Sequence, residues 1–510
     1  MISRIKAAIL NGLEVLPVEV EVGFSRGIPG MVIVGLPDNA VKESKERLRL
    51  ALSHSNFEYP AAAKIVVNLS PADVRKEGSG LDLPIALGIL KNRYRLDDAP
   101  FGDYLFLGEL NLNGDLNPVK GALNIVLFAR QQGFRGVVLP EENRLEASFV
   151  KGIDIHPFPD LIRVVDFIKN PERFQPYSNK IFCQPEASYE VDFSEIRGQY
   201  LARRAMEIAA AGFHNILMIG PPGSGKSMIS KALPSILPDM NEEEILETSL
   251  IYSAAGLLSQ EKNLMLRRPF RSPHHTISDV GISGGGRYPV PGEISLAHNG
   301  VLFLDELPYF KRSALEVLRQ PLEDGKITIS RSLTSQTFPA RFMLVSAMNP
   351  CEDSIGLRDA DNFQCSETQR RRYYAKLSKP LLDRIDIQIE VKKVKFEEIT
   401  AASQAENSTR IRERVARARR IQEDRFRGQK RRIFANGQMK NSEIKKFCSL
   451  DETGLKVIRQ AVDRFDLSAR GYFKVLKVAR TIADIELRER IEVAHLQEAL
   501  QYRALDLSRF

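Results

Sequence analysis

At 510 residues the chain exceeds what one hydrophobic core of usual size holds, so roughly two to four domains are expected. The formal net charge of +8 and pI near 9.1 allow a polyanionic partner without establishing one, because net charge governs association rather than fold. No apolar run approaches the roughly 18 residues of a bilayer span, and the start MISRIKAAILNGLEV lacks a signal-peptide core. Four scattered cysteines exclude a disulfide framework. A cytoplasmic protein with no membrane partner is expected.

Residues 1–168 read as an α/β unit. VEVEVGF (18–24) and KIVVNLS (64–70) alternate as strands do, whereas NAVKESKERLRLALSHS (39–55) spaces Val41, Leu48, Leu50 and Leu52 among charges as an amphipathic helix. Residues 169–190 carry three prolines and little periodicity, which marks a linker. Residues 191–395 alternate helical and apolar strand segments, the pattern of a mostly parallel sheet wrapped by helices. Over 396–510 the strand signal fades and five helical stretches succeed one another from about residue 407, so a helical domain closes the chain.

Within 191–395 the stretch LMIGPPGSGKS (217–227) fits the phosphate-loop pattern, with an apolar strand before and a helix after. Gly220, Pro221, Pro222, Gly223, Ser224 and Gly225 form a loop whose backbone N–H groups can face phosphate oxygens. Lys226 adds a charge, and the Ser227 hydroxyl can hold Mg2+. ATP with Mg2+ is the expected cofactor pair. About eighty residues on, GVLFLDE (300–306) supplies an acidic pair: Asp305 as a second Mg2+ holder and Glu306 to orient the attacking water. Taken alone, an apolar strand ending in Asp-Glu is common surface capping; beside a phosphate loop the catalytic reading is the better one. Asn349, past the strand in RFMLVSAMNP, can sense the γ-phosphate, although Asn before Pro is also a routine turn starter. Arg384 in PLLDRIDIQIEV is either an ion-pair partner of Asp383 or Asp386, or an arginine finger.

The ordered set Gly198-Gln199, GPPGSGKS, VLFLDE, SAMNP, PLLDRID and SARGYFKVLKVARTIAD (468–484) resembles the AAA+ ATPases of the magnesium-chelatase branch. RPFRSPHHTISDVGISGGGRYPVPGEISLAHNG, VLRQPLEDGKITISR and the N-terminal SRGIPGMVIVGLPDNAVKESKERLRLAL narrow this to the YifB/ComM family over nearly the whole chain. The resemblance implies an α/β AAA+ P-loop core with a helical lid, preceded by a Lon-protease-like (S5-like) α/β domain. It also implies a homohexameric ring with nucleotide between subunits, Arg384 donated in trans, and Arg470 in the lid as a second nucleotide sensor. Two departures stand out. Tyr309 occupies a position where relatives usually carry Glu, and of a cysteine-rich loop found in many relatives only Cys351 and Cys365 remain, half a zinc site at most.

A Lon-type protease uses a serine nucleophile and a lysine base. Matching RKEGSGLDLPIAL (75–87) and LNGDLNPVKGALNIV (112–126) to the family's two motifs puts Gly80 and Leu123 at those positions, which cannot do the chemistry; Ser79 and Lys120 lie close enough for a shifted dyad to be conceivable. For a polyanion, residues 410–432 offer Arg410, Arg412, Arg414, Arg417, Arg419, Arg420, Arg425, Arg427, Lys430, Arg431 and Arg432 against only Glu413, Glu423 and Asp424. Two insertions offer more: RRPFRSPHHTISDVGISGGGRYP (267–289), with Arg267, Arg268, Arg271, His274, His275 and Arg287, and the hairpin KITISRSLTSQTF (326–338), with Arg331 near its tip. In ring helicases resembling this branch such insertions face the channel. The resemblance then implies a DNA motor acting on single-stranded and branched DNA by branch migration during natural transformation. The alternatives are an ATP-dependent Lon-like protease and a magnesium-chelatase-like metal-insertion chaperone.

Overall fold

The computed structural model describes residues 2–76, 78–178, 189–259, 263–286, 289–330, 335–351, 367–394, 405–429, 431–465 and 467–503. Cys183, Arg287, Arg331, Cys365, Lys430 and residues 179–188 of the 169–190 linker lie outside them. The chain divides into two compact units: 1–184 with 242–266 and 287–291, and 185–241 with 267–286 and 292–510.

The first unit holds a four-stranded sheet in the order Ile2–Asn11, Glu14–Ser25, Lys64–Ser70, Gly30–Val34. It is antiparallel except for its last pair, and a three-stranded parallel sheet runs Tyr104–Phe106, Gly136–Pro140, Asp154–Phe158. The alternation in 64–70 appears as a strict buried/half-buried pattern, so one face of that strand meets the core. The helix Asn39–His54 is capped by Asp38, whose carboxylate accepts from Val41 N, and buries Val41, Leu48, Ala51 and Leu52. Leu50 stays 40% exposed, because a position two residues from Leu48 points to the opposite side of a helix.

By sequence order residues 242–266 fall within the 191–395 segment, yet they pack in the first unit. The helix Glu242–Ala255 lies on the helix Ala122–Gln131, with Leu246, Leu250, Leu264 and Leu266 joining the cluster of Leu123, Val126 and Ala129. Leu264 is buried and the other three leucines are half-buried, so Leu264 contributes about 1.5–3 kcal/mol and the others less. Ser253 closes it: its hydroxyl donates to the buried Glu146 carboxylate at 2.6 Å, and its carbonyl accepts from Gly121 N at 3.0 Å. Burial pushes the Glu146 carboxyl up despite the bonds from Ser253 and Asn143.

His156 sits 3% exposed, its ring 4.5 Å from Phe167 and 5.4 Å from Tyr104, and its Nε2 finds no partner among the described residues. Burial holds this imidazole down to about 4. An unfolded chain protonates it near the ordinary value of about 6.5, so between those values the unfolded state binds more protons and stability falls with falling pH. Acidification from about pH 6.5 to 4 is expected to cost the first unit up to about 3 kcal/mol from this group. His156→Phe should flatten that part of the pH dependence of thermal unfolding; an unchanged slope counts against it.

The second unit is built on a five-stranded, all-parallel sheet ordered Phe270–Arg271, Val301–Leu304, Met343–Met348, Ile216–Ile219, Ile387–Glu390. The three middle strands are buried at every position, as a sheet covered on both faces requires. Five α-helices close the chain where expected: Ser408–Phe426, Asn441–Phe447, Glu452–Phe465, Ala469–Ile485 and Val493–Gln501. No helix among the described residues is long and apolar enough to cross a membrane.

Candidate nucleotide site

A parallel sheet brings the carboxyl ends of its strands to one edge, where ligands of such folds bind. Here that edge carries the loop after 216–219, the acidic pair after 301–304 and Asn349 after 343–348. Gly220 is required by close approach: a Cβ there would stand 2.1 Å from the Val391 carbonyl oxygen. Gly225 opens the helix Lys226–Ala232 with φ +90°, a conformation that favours glycine. Gln199, itself at φ +50°, braces the loop by donating to the carbonyls of Ser224 (3.0 Å) and Lys392 (2.6 Å).

The Lys226 ammonium donates to Gly220 O (2.6 Å), Pro221 O (2.9 Å), Ser224 Oγ (3.3 Å) and Asn349 Oδ1 (3.1 Å). The contact with Asn349 ties the loop to the neighbouring strand. Asn349 is braced in turn, its carbonyl accepting from the Tyr373 hydroxyl at 3.0 Å. Ser227 Oγ donates to Asp305 Oδ2 at 2.6 Å. Hydroxyl and carboxylate are hard oxygen donors, and two of them side by side suit Mg2+, which keeps waters and substrate oxygens for its other positions. Among the described residues no group of three or more His, Cys, Asp or Glu side chains could hold a metal.

Glu306 has φ +54°, and its backbone N–H donates to Asp305 Oδ1 at 2.9 Å. Its carboxylate is half exposed and lies 3.2 Å from Nδ1 of His275. His275 figured in the sequence only as part of a basic insertion; the signal for more was its place shortly after the strand that neighbours 301–304.

Arg384 and Arg470 stand elsewhere. The Arg384 carbonyl accepts from Asn215 Nδ2 at 2.9 Å, and Asn215 immediately precedes the strand that ends at the phosphate loop. The four strand residues Ile216–Ile219 lie between Asn215 and Gly220, five steps or roughly 16 Å. The Arg384 side chain is 10% exposed, pairs with Glu323 rather than with Asp383 or Asp386, and donates to Pro380 O at 2.5 Å. Arg470, 62% exposed at the start of the helix Ala469–Ile485, lies 3.7 Å from Asp383. Both line a cavity of about 740 Å3 with Arg431, Lys474 and Lys477, which no phosphate-loop residue joins.

Beneath this cavity a buried polar cluster fixes the Arg384 loop. Lys474 Nζ donates to the Ile385 carbonyl at 2.9 Å, and His214 bridges Asp386 (3.2 Å) and Thr481 (2.8 Å). Burial pushes the Lys474 amine down to about 7 against the pull of Asp386. Burial alone would raise Asp386, but Lys477, His214 and Lys474 outweigh it and hold that carboxyl well below the usual range.

The basic stretches are less free than their sequence suggests. Arg414 pairs with Glu207 and Glu406, Arg425 with Asp484 and Arg431 with Glu443; Arg419 is buried against Phe213, and Arg412 lies over Tyr189. Arg410, Arg417, Arg420, Arg427 and Arg432 remain exposed. In the 267–289 insertion Arg268 donates to the carbonyls of Pro238, Asp239 and Asn299, and Arg271 is clamped by Glu293 through two bonds of 2.6 Å.

In the first unit Ser79 donates to Glu109, Lys120 is exposed with its stem against Gly256, and Leu123 is a fully buried core residue. The described hydrogen bonds contain no Ser–Lys dyad.

Loop, acidic pair and Asn349 on one edge of a parallel sheet have the arrangement of the P-loop folds. Residues 192–399 match the family described as magnesium chelatase, subunit ChlI; residues 20–143 match subunit ChlI of Mg-chelatase, and 405–503 its C-terminal part. The chain is 41% identical to the competence protein ComM of Haemophilus influenzae over 97% of this chain and 96% of that protein, and 40% identical to YifB of Escherichia coli over the same shares. A 67 kDa magnesium-chelatase subunit of Chlorobaculum tepidum is 26% identical over 33% of this chain and 25% of its own length. The chain belongs to the YifB/ComM family of magnesium-chelatase-like proteins.

Proposed function

We propose that this protein is an ATP-driven ring motor that translocates on single-stranded and branched DNA, catalysing branch migration during uptake-linked recombination. The single observation that carries the ring is the position of Arg384, one strand length from the phosphate loop of its own chain. A chain with loop and finger at opposite ends of one sheet completes its site by heterologous association, which makes a ring when the rotation between copies closes. In the 191–395 core, Lys226 and the loop amides hold the phosphates, Ser227 and Asp305 the Mg2+, Asn349 reports the γ-phosphate, and Glu306 orients water. Arg384 and Arg470 of one copy meet the nucleotide of the next, and the helical 396–510 segment serves as lid. DNA as the track follows from the 41% identical relative named for competence, with the 326–339 hairpin and the exposed arginines as contacts.

The protease reading loses its dyad at Ser79, whose hydroxyl is taken by Glu109. ATP turnover measured with and without single-stranded or forked DNA at low salt, together with displacement of a branched substrate, tests the proposal. Stimulation and displacement are the expected results. Turnover indifferent to DNA, with no binding at low ionic strength, overturns the DNA part, since phosphate contacts are strongest there.

A further inference from the structure

The loop that presents Arg384 is fixed residue by residue. The Arg384 N–H donates to Leu381 O at 2.9 Å, its carbonyl accepts from Asn215 Nδ2 at 2.9 Å, and the Asp386 N–H donates to Asn215 O at 3.0 Å. Between them the Ile385 carbonyl accepts from two cations, Lys474 Nζ at 2.9 Å and Arg503 Nη1 at 3.0 Å. Lys474 is buried, and an apolar side chain of similar length would fill that space without taking an ammonium out of water. What the amine adds there is its bond to the loop. Lys474 also stands four residues, one helical turn, beyond Arg470, so both side chains share a face of the helix Ala469–Ile485 and line the cavity with Arg384. Arg470 lies 3.7 Å from Asp383 while Lys474 holds Ile385, so a single turn of helix touches the loop on either side of Arg384.

We propose that Lys474 is a positioning residue for Arg384: it fastens the loop of that arginine to the helix that carries Arg470, so that the two arginines reach the nucleotide of the next copy as one unit. The assignment requires, as in the proposed function, that Arg384 act in trans. Lys474 touches no phosphate, since its amine is turned to a main-chain carbonyl. Loss of the bond lets the loop shift, and a displacement of about 1 Å at a catalytic group costs about a hundredfold in rate. The phosphate loop and acidic pair of the same chain are left as they were, so the loss falls on turnover and not on ATP binding.

Steady-state ATP turnover of full-length chains, alone and mixed, tests this. Lys474→Met, close to lysine in length and without its charge, is expected to lower kcat about a hundredfold with KM for ATP unchanged. Lys474→Arg, which keeps a cationic donor and has the cavity to extend into, should recover most of that loss. Mixing then shows which half of the site the lysine serves. With Glu306→Gln chains, Lys474→Met should regain turnover, because the other chain brings a well-placed arginine to an intact loop and acidic pair. With Arg384→Ala chains it should regain none, since neither chain then offers a working arginine. A lysine that only stabilised the fold would show no such asymmetry. Lys474→Gln takes the place of Lys474→Met should the latter give no cooperative thermal unfolding. Undiminished kcat on loss of the lysine, recovery with Arg384→Ala, or no recovery with Glu306→Gln overturns the positioning role. A mixture of Arg384→Ala and Glu306→Gln that stays inactive overturns the trans reading beneath it, and the two failures are thereby distinct.

Discussion

Replacing Glu306 with Gln is expected to lower ATP turnover by about two to four orders of magnitude while nucleotide still binds. The amide matches the carboxylate in shape, keeps φ +54° and leaves the Ser227–Asp305 pair untouched, so the phosphate loop and its metal-holding oxygens stay assembled. What is lost is a negative, proton-accepting oxygen at the end of the 301–304 strand. Lys226→Ala is expected to behave differently. The ammonium holds Gly220 O, Pro221 O and Asn349 Oδ1 together and, in the proposed function, meets the phosphates as well, so its removal is expected to weaken binding as well as turnover. Titration with a fluorescent ATP analogue beside steady-state turnover separates the two. Normal turnover by Glu306→Gln removes that residue from the chemistry.

Much of this site is legible in the sequence because its parts are local. Four apolar residues before Gly220 and four before Asp305 form strands over the expected spans, and a parallel sheet then has no choice but to bring the residues just beyond each strand to the same edge. Long-range pairing is what the sequence withholds. Nothing near Glu306 in the chain announces His275, and nothing in residues 410–432 tells which arginines face inward. Arg414 and Arg425 find Glu207, Glu406 and Asp484, so part of a run that reads as a phosphate footprint fastens a helix instead. Residues 242–266 mislead for a similar reason: their chain position says one unit, whereas apolar partners on the 122–131 helix and the Glu146 acceptor draw them into the other.

Arg384→Ala is expected to abolish turnover by a further route, with a loss of about three to five orders of magnitude if it acts as an arginine finger. Within one chain the residue lies at the amino end of the strand whose carboxyl end carries the phosphate loop, in a cavity shared with Arg470. Removing it leaves the ATP-holding groups of that chain intact, and each chain retains a complete half of a site. Mixing therefore discriminates. Arg384→Ala and Glu306→Gln chains, each inactive alone, should regain activity when combined. The first supplies a working loop and acidic pair, the second a working arginine, and about a quarter of randomly formed interfaces join the two good halves. A fold in which Arg384 reached its own nucleotide would give no recovery at any mixing ratio, because every site would then lack either the cation or the carboxylate.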